Sequence, residues 1–103
     1  MNTIYITVVR IYMDAEDTGI KVLMKRLHDW EKLRGMSVFE GLAGFGRAGL
    51  PESLAKLPTP IAVEFFDTPE KIDSILEDLS GFIPSEHIII WDAKLIVGTK
   101  GAA

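Results

Sequence analysis

Two amphipathic helix patterns, each placed after a strand-like run, most constrain the fold of this chain. Across residues 19–34, apolar side chains recur every three or four positions and so share one helix face. Gly35 follows this pattern and predicts the C-terminal end of the helix. The second helix is predicted to begin at Asp67, an N-cap that forms a capping box with Glu70, while Pro69 occupies the first turn. The apolar stripe of this second helix comprises Ile72, Ile75, Leu76 and Leu79.

Strand-like runs rich in β-branched and aromatic residues flank the two helix patterns. They cover residues 3–12, 36–39, 61–66 and 87–97, and the last run is either one strand or a strand broken near Asp92 and Ala93. The order is therefore β-α-β-β-α-β, in which two right-handed βαβ crossovers interleave. This order predicts an α+β, ferredoxin-like sandwich, with a four-stranded antiparallel sheet and both helices on one face. We expect residues 1–97 to form a single domain and residues 98–103 to be a disordered C-terminal tail.

Several of these strands are apolar on both sides, although two helices can cover only one face of a sheet. Ile4, Ile6 and Val8 alternate with Tyr5 and Val9, and the third and last strands show the same two-sided pattern. A strand with apolar residues on both sides is normally covered on both sides. We therefore predict a closed homo-oligomer whose sheets face one another.

Composition excludes several classes of function for this chain of 103 residues. A formal net charge of −4 and the absence of a basic stripe disfavour nucleic-acid binding. No cysteine is present, which excludes disulfides, thiolate catalysis and cysteine-ligated metals. No apolar run approaches the roughly 20 residues that span a bilayer, so direct membrane insertion is not expected. These features fit a cytoplasmic protein.

A glycine-rich segment at residues 35–49 holds five of the nine glycines in the chain. Glycine allows other groups to approach the backbone closely. With Arg47 nearby, the backbone N–H groups can form a concave site for an anion. The competing interpretation is a glycine-rich hairpin or bulge that binds nothing.

Three motifs resemble the PII-like signalling superfamily, and most closely its short-loop branch of uncharacterised function. Residues 35–46 read Gly-Met-Ser-Val-Phe-Glu-Gly-Leu-Ala-Gly-Phe-Gly, which follows the superfamily pattern after the first helix. The other two motifs are residues 60–67, followed by Glu70-Lys-Ile, and the N-terminal Arg10-Ile-Tyr. The resemblance extends from about residue 9 to residue 92.

The resemblance implies a homotrimer whose sheets line a central core, and a regulatory protein that is not an enzyme. It implies that a small effector, an adenine nucleotide (ATP, ADP or AMP), binds in clefts between subunits and that no cofactor is required. The regulated partner is expected to be a membrane transporter or an enzyme. By resemblance, Ser37 lies near the base ring, and Gly44, Phe45, Gly46 and Arg47 lie at the root of the loop, where Gly46 and Arg47 approach the phosphates.

The sequence also departs from the PII pattern at positions that matter for function. Residues 80–86 replace the basic phosphate-binding loop of PII proteins and contain no Lys or Arg. Residues 47–60 contain no tyrosine, which argues against the modification known in PII proteins. Glu40 stands where the short-loop branch often has a basic residue.

Alternative functions remain open on this sequence. A small ferredoxin-fold enzyme or an ACT-like small-molecule sensor is the main alternative, and an RNA-recognition module fits poorly because the chain is acidic and lacks stacking aromatics. Asp14, Glu16 and Asp17 could bind a hard cation but are more simply a solvated turn. His28 is interpreted as a surface or boundary residue. Glu64 is interpreted as a salt-bridge or edge residue and not as a catalytic group.

Overall fold

The computed structural model describes residues 1–14, 19–41 and 59–98 of the chain. In this part the order of strands and helices is the one predicted. The elements are β1 (Asn2–Asp14), α1 (Gly19–Arg26), β2 (Gly35–Glu40), β3 (Pro60–Asp67), α2 (Pro69–Leu79) and β4 (Ile88–Gly98). A π-helical segment, Leu27–Glu31, continues α1, and a 3₁₀ turn, Ser85–His87, precedes β4. No helix in the described ranges is long and apolar enough to cross a bilayer.

The strands form one sheet in the order β2-β3-β1-β4, and all neighbouring strands are antiparallel. The predicted α+β, ferredoxin-like βαββαβ arrangement is therefore confirmed. β4 continues through Asp92 and Ala93, both paired with β1, so the strand is not broken there. β4 also includes Gly98, and the rest of the expected tail, residues 99–103, lies outside the described residues.

The core lies between the helices and one face of the sheet. Every second residue of a strand points to the same side, so Val9 and Ile11 of β1 face the helices together with Val63 and Phe65 of β3. The helices contribute the fully buried side chains Leu23, Leu27, Ile72, Ile75 and Leu79. These residues are the ones that the predicted helix stripes place on the apolar faces.

The end of the first helix differs from the prediction. The α-helix ends at Arg26, the π-helical segment ends at Glu31, and Lys32 adopts a left-handed conformation with φ 47° and ψ 57°. Gly35 does not close the helix but is the first residue of β2. The physical reason is tertiary, because the Lys32 carbonyl accepts a hydrogen bond from Lys71 Nζ of α2 at 2.9 Å. The left-handed position is therefore filled by lysine, which rarely adopts it.

The start of the second helix also differs, because the predicted capping box does not form. Thr68 occupies the N-cap position and makes no capping hydrogen bond through its side chain. The Asp67 carboxylate accepts hydrogen bonds from the N–H groups of Thr68 and Arg34 and also lies beside Lys71 of α2. Pro69 does lie in the first turn, as predicted.

Candidate functional site

The side of the sheet that faces away from the helices carries the candidate site. Strand alternation and the observed register place Ser37 of β2, Glu64 of β3 and Arg10 of β1 in one row across this side. Ile89 of β4 continues the row. We call this side the exposed face. It comprises Val8, Arg10, Tyr12, Gly35, Ser37, Phe39, Ala62, Glu64, Phe66, Ile89 and Trp91.

An ion pair lies at the centre of the exposed face. Arg10 donates to Glu64 Oε1 from Nη2 at 2.6 Å and from Nε at 3.1 Å. The guanidinium also lies 5.5 Å from the centre of the Trp91 ring and 3.5 Å from the Tyr12 hydroxyl. Hydrogen bonds to Tyr12 and Glu64 raise the pKa of Arg10, so it remains a cation. The prediction that Glu64 forms a salt bridge is confirmed.

Large apolar side chains surround this ion pair. Phe39 is 51% exposed, Ile89 50% and Trp91 39%. Val8 is nearly buried because it stands between Phe66 and Trp91 on the two neighbouring strands. Exposed apolar residues that are contiguous on a sheet face indicate an interaction surface.

Of the predicted site residues, Ser37 is the one that the structure describes. It is exposed and stands directly opposite Glu64, next to the central ion pair. Gly44, Phe45, Gly46 and Arg47 lie outside the described residues.

The two ends of the segment that contains these four residues do lie together. Gly41 N–H donates to the Pro60 carbonyl at 2.9 Å, which closes the backbone just beyond β2. The described backbone on the two sides of this segment is therefore joined at one point of the sheet. That point is next to the pair formed by Glu40 and Ile61, three residues along β2 from Ser37.

The connection between α1 and β2, which leads directly to Ser37, is attached to the start of α2 by Asp67. The Asp67 side chain is 6% exposed. It accepts the Thr68 N–H at 2.8 Å and the Arg34 N–H at 3.1 Å, and Lys71 Nζ lies 3.3 Å from Oδ2. Burial raises the pKa of Asp67, but the two backbone hydrogen bonds and Lys71 together lower it below its ordinary value.

Two charged residues have roles that differ from those expected from their local sequence. The local pattern assigns Asp67 to a helix cap, and Arg10 enters only as part of a family motif. A signal for the second is present, since Arg10 and Glu64 are each the one charged residue in residues 3–12 and 61–66. Opposite lone charges favour a cross-strand pair only once the strand order, with β1 beside β3, is known.

His28 and the acidic turn do not form a site among the described residues. His28 is exposed and its Nδ1 lies 2.8 Å from Asp29 Oδ1, which confirms the surface assignment. The hydrogen bond to His28, followed by that to Lys25, lowers the pKa of Asp29. Within residues 1–14, 19–41 and 59–98, no three His, Cys, Asp or Glu side chains are close enough to hold a metal ion. Glu16 and Asp17 lie outside these ranges.

A sequence pattern of a protein family covers most of the chain. The family, described as Uncharacterized ACR, COG1993 (DUF190), matches residues 6–95. The chain belongs to the DUF190 family. No curated protein matches this member of the family in sequence.

Solved structures show which fold the DUF190 chain shares. CPII from Thiomonas intermedia K12, a nitrogen regulatory PII-like protein bound to ADP, AMP and bicarbonate, is similar with a TM-score of 0.67 and 16% identity, over 95% of this chain and 100% of CPII. A protein of Thermus thermophilus described as PII-like is similar with a TM-score of 0.58 and 20% identity, over 92% and 90% of the two chains.

A third similar structure comes from a protein with a different description. The periplasmic divalent cation tolerance protein CutA from Archaeoglobus fulgidus has a TM-score of 0.60 and 16% identity, over 92% of this chain and 88% of CutA. At these identities the likeness is one of fold. The fold that the resemblance to the PII-like superfamily implies is thereby confirmed.

Proposed function

We propose that this DUF190 protein is a PII-like regulatory protein that binds an adenine nucleotide between the subunits of a homotrimer. Residues 1–97 act as one domain, and the protein regulates a partner, a membrane transporter or an enzyme, without catalysing a reaction. It works in the cytoplasm. Ser37 contacts the base, and Gly44, Phe45, Gly46 and Arg47 form the root of the loop that holds the phosphates.

The observation that carries this proposal is the position of Ser37. The motif at residues 35–46 is the part of the sequence most specific to PII-like proteins, and Ser37 within it lies exposed on a sheet face. CPII, which has the same fold, is bound to ADP and AMP. An exposed hydroxyl beside a strand edge can hydrogen-bond the edge of a purine ring.

The exposed face supports the homotrimer. Phe39, Ile89 and Trp91 are about half exposed in the single chain, and a neighbouring subunit would remove their apolar surface from water. The Arg10–Glu64 pair satisfies the charges at the centre of the face, which lowers the cost of covering it. Closed rings of identical subunits are the usual way in which such faces are covered.

The phosphate side of the site is expected to depend strongly on Arg47. Residues 80–86 supply no cation to it, since they contain neither Lys nor Arg. A charge-assisted hydrogen bond between a guanidinium and a phosphate contributes on the order of 1.5–3 kcal/mol. Loss of Arg47 should therefore weaken ADP binding by about tenfold or more.

The test is native mass spectrometry of the purified protein with and without ATP, ADP and AMP. A trimer that gains up to three nucleotides is the expected result. A trimer that gains none would remove the nucleotide from the proposal, and a stable monomer at micromolar concentration would remove the subunit clefts.

Calorimetric titration with ADP then tests the residues. Arg47→Ala should weaken binding by about tenfold or more, the range expected for a charge-assisted hydrogen bond. Lys21→Ala is the matched control, because Lys21 is exposed on α1 and its loss changes the net charge by the same amount. Equal affinities for the two variants would exclude Arg47 from the site.

A further inference from the structure

The three residues that precede β2 are attached to the β3–α2 junction at several points. Lys71 Nζ donates to the Lys32 carbonyl at 2.9 Å, and the Arg34 N–H donates to Asp67 Oδ2 at 3.1 Å. The Arg34 side chain approaches the same carboxylate, with Nε 3.6 Å from Oδ1. The chain enters β2 immediately afterwards, at Gly35.

The same junction also contacts the start of β2 from the exposed face. Phe66 is paired with Gly35, and its ring lies so close that a Cβ added at Gly35 would stand 2.7 Å from the ring Cζ. Phe66 and Asp67 are consecutive, so their side chains point to opposite sides of β3. The start of β2 is therefore held on one side by an aromatic ring and on the other by a carboxylate.

We infer that Asp67 is a positioning residue for the nucleotide site, because it fixes the start of β2 and thereby the location of Ser37. This inference rests on the proposed function, in which Ser37 contacts the base. Ser37 lies three residues after Arg34, in a strand that, among the described elements, is paired along its length with β3 only. Because the stretch of extended backbone between them is so short, a displacement at Arg34 also displaces Ser37.

A carboxylate suits this position because it has to satisfy two separate backbone segments. Oδ1 accepts the Thr68 N–H and Oδ2 accepts the Arg34 N–H, so each segment uses its own acceptor oxygen. An asparagine offers one acceptor oxygen and would satisfy one of the two groups. Burial of the carboxylate costs desolvation, which the two backbone hydrogen bonds and Lys71 offset.

A double-mutant cycle on ADP affinity tests whether Asp67 acts through Ser37. Asp67→Asn and Ser37→Ala should each weaken ADP binding by roughly three- to tenfold, the range for a neutral hydrogen bond to the base. If Asp67 acts by positioning Ser37, Asp67→Asn should have almost no further effect in the Ser37→Ala protein. Equal losses in both backgrounds, or no loss in either, would overturn the inference.

The matched control is Asp78→Asn, which makes the same chemical change at a contact between α1 and α2. Asp78 accepts a hydrogen bond from Arg26 of α1 at 2.9 Å, and neither residue belongs to the connection that leads to β2. Asp78→Asn should leave ADP affinity within about twofold of wild type. A loss of ADP affinity as large as that of Asp67→Asn would indicate a general loosening of the helices and overturn the inference.

Amide hydrogen exchange of the nucleotide-free protein separates this inference from the proposed function. Asp67→Asn should speed exchange at residues 34–39 by several-fold relative to Asp78→Asn, because local opening is set by local contacts. If the wild-type protein binds no nucleotide, the proposed function fails, and exchange still decides whether Asp67 positions Ser37. Unchanged exchange at residues 34–39 in Asp67→Asn would reject the positioning role whatever the ligand.

Discussion

Replacing Gly35 with alanine tests how tightly the start of β2 is packed. The new Cβ would stand 2.7 Å from Cζ of the Phe66 ring, whereas carbon atoms prefer separations of about 3.5–4.0 Å. The ring or the strand must therefore move by roughly 1 Å. Such overpacking costs about 1–3 kcal/mol, offset by the roughly 0.5–1 kcal/mol that alanine gains over glycine in a strand. We expect Gly35→Ala to lower the free energy of unfolding by about 1–2 kcal/mol.

The matched control is Gly81→Ala, at the turn that follows α2. A Cβ added at Gly81 meets no atom within 4 Å, and its backbone requires no positive φ. This substitution should be neutral or stabilising by up to about 1 kcal/mol, through the lower entropy of the unfolded chain. Urea denaturation at one fixed protein concentration measures both variants, because association would otherwise contribute to the apparent stability.

A rescue variant identifies the source of the effect. Phe66→Leu removes the ring that the new methyl group would strike, so Gly35→Ala should cost much less in the Phe66→Leu protein than in wild type. The reasoning is refuted if Gly35→Ala is within about 0.5 kcal/mol of Gly81→Ala, or if its cost is unchanged in the Phe66→Leu protein.

Three further predictions concern charges and backbone geometry. The folded-state pKa of Asp67 lies below that of the unfolded chain, so the stabilisation by its carboxylate is complete above about pH 5 and is lost as pH falls through the folded pKa. The free energy of unfolding should therefore fall less steeply with decreasing pH in Asp67→Asn than in wild type. An identical pH profile for the two proteins would contradict this. Glu64→Gln leaves Arg10 without its carboxylate partner on the exposed face. If a neighbouring subunit covers this face, native mass spectrometry on dilution should show dissociation at a higher protein concentration than for wild type, and an unchanged dissociation profile would argue that the face is not covered. Lys32→Gly should raise the free energy of unfolding by roughly 1 kcal/mol, because glycine adopts the left-handed conformation without strain. A fall in the melting temperature of this variant would show that Lys32 is not strained in wild type.

Local patterns in the sequence were sufficient to predict the elements and their order. The stripes that include Leu23, Leu27, Ile72 and Ile75 predicted which helix faces are buried, because 3.6-residue periodicity is a property of the chain itself. The two-sided apolar strands likewise predicted a sheet face that the helices leave exposed, which Trp91 and its neighbours now form. The exposed position of Ser37 follows from the same alternation.

The ends of the helices could not be predicted in this way. Gly35 and Asp67 carry standard signals for a helix end and a helix start, yet neither has that role. Each signal competes with contacts to residues more than 30 positions away, such as the hydrogen bond between Arg34 and Asp67. A local pattern cannot show which of these contacts prevails, since that depends on how the two βα halves are packed together.

The sequence by itself determined the α+β order, the apolar helix faces and the family motif that contains Ser37, because each is encoded in spacing along the chain. The tertiary structure alone decided that Arg10 pairs with Glu64, 54 positions away, and that Asp67 attaches the start of β2 to α2. These contacts depend on strand register and on the approach of separate segments. The strand register and the positions of the separate segments relative to one another are fixed only when the whole core is assembled.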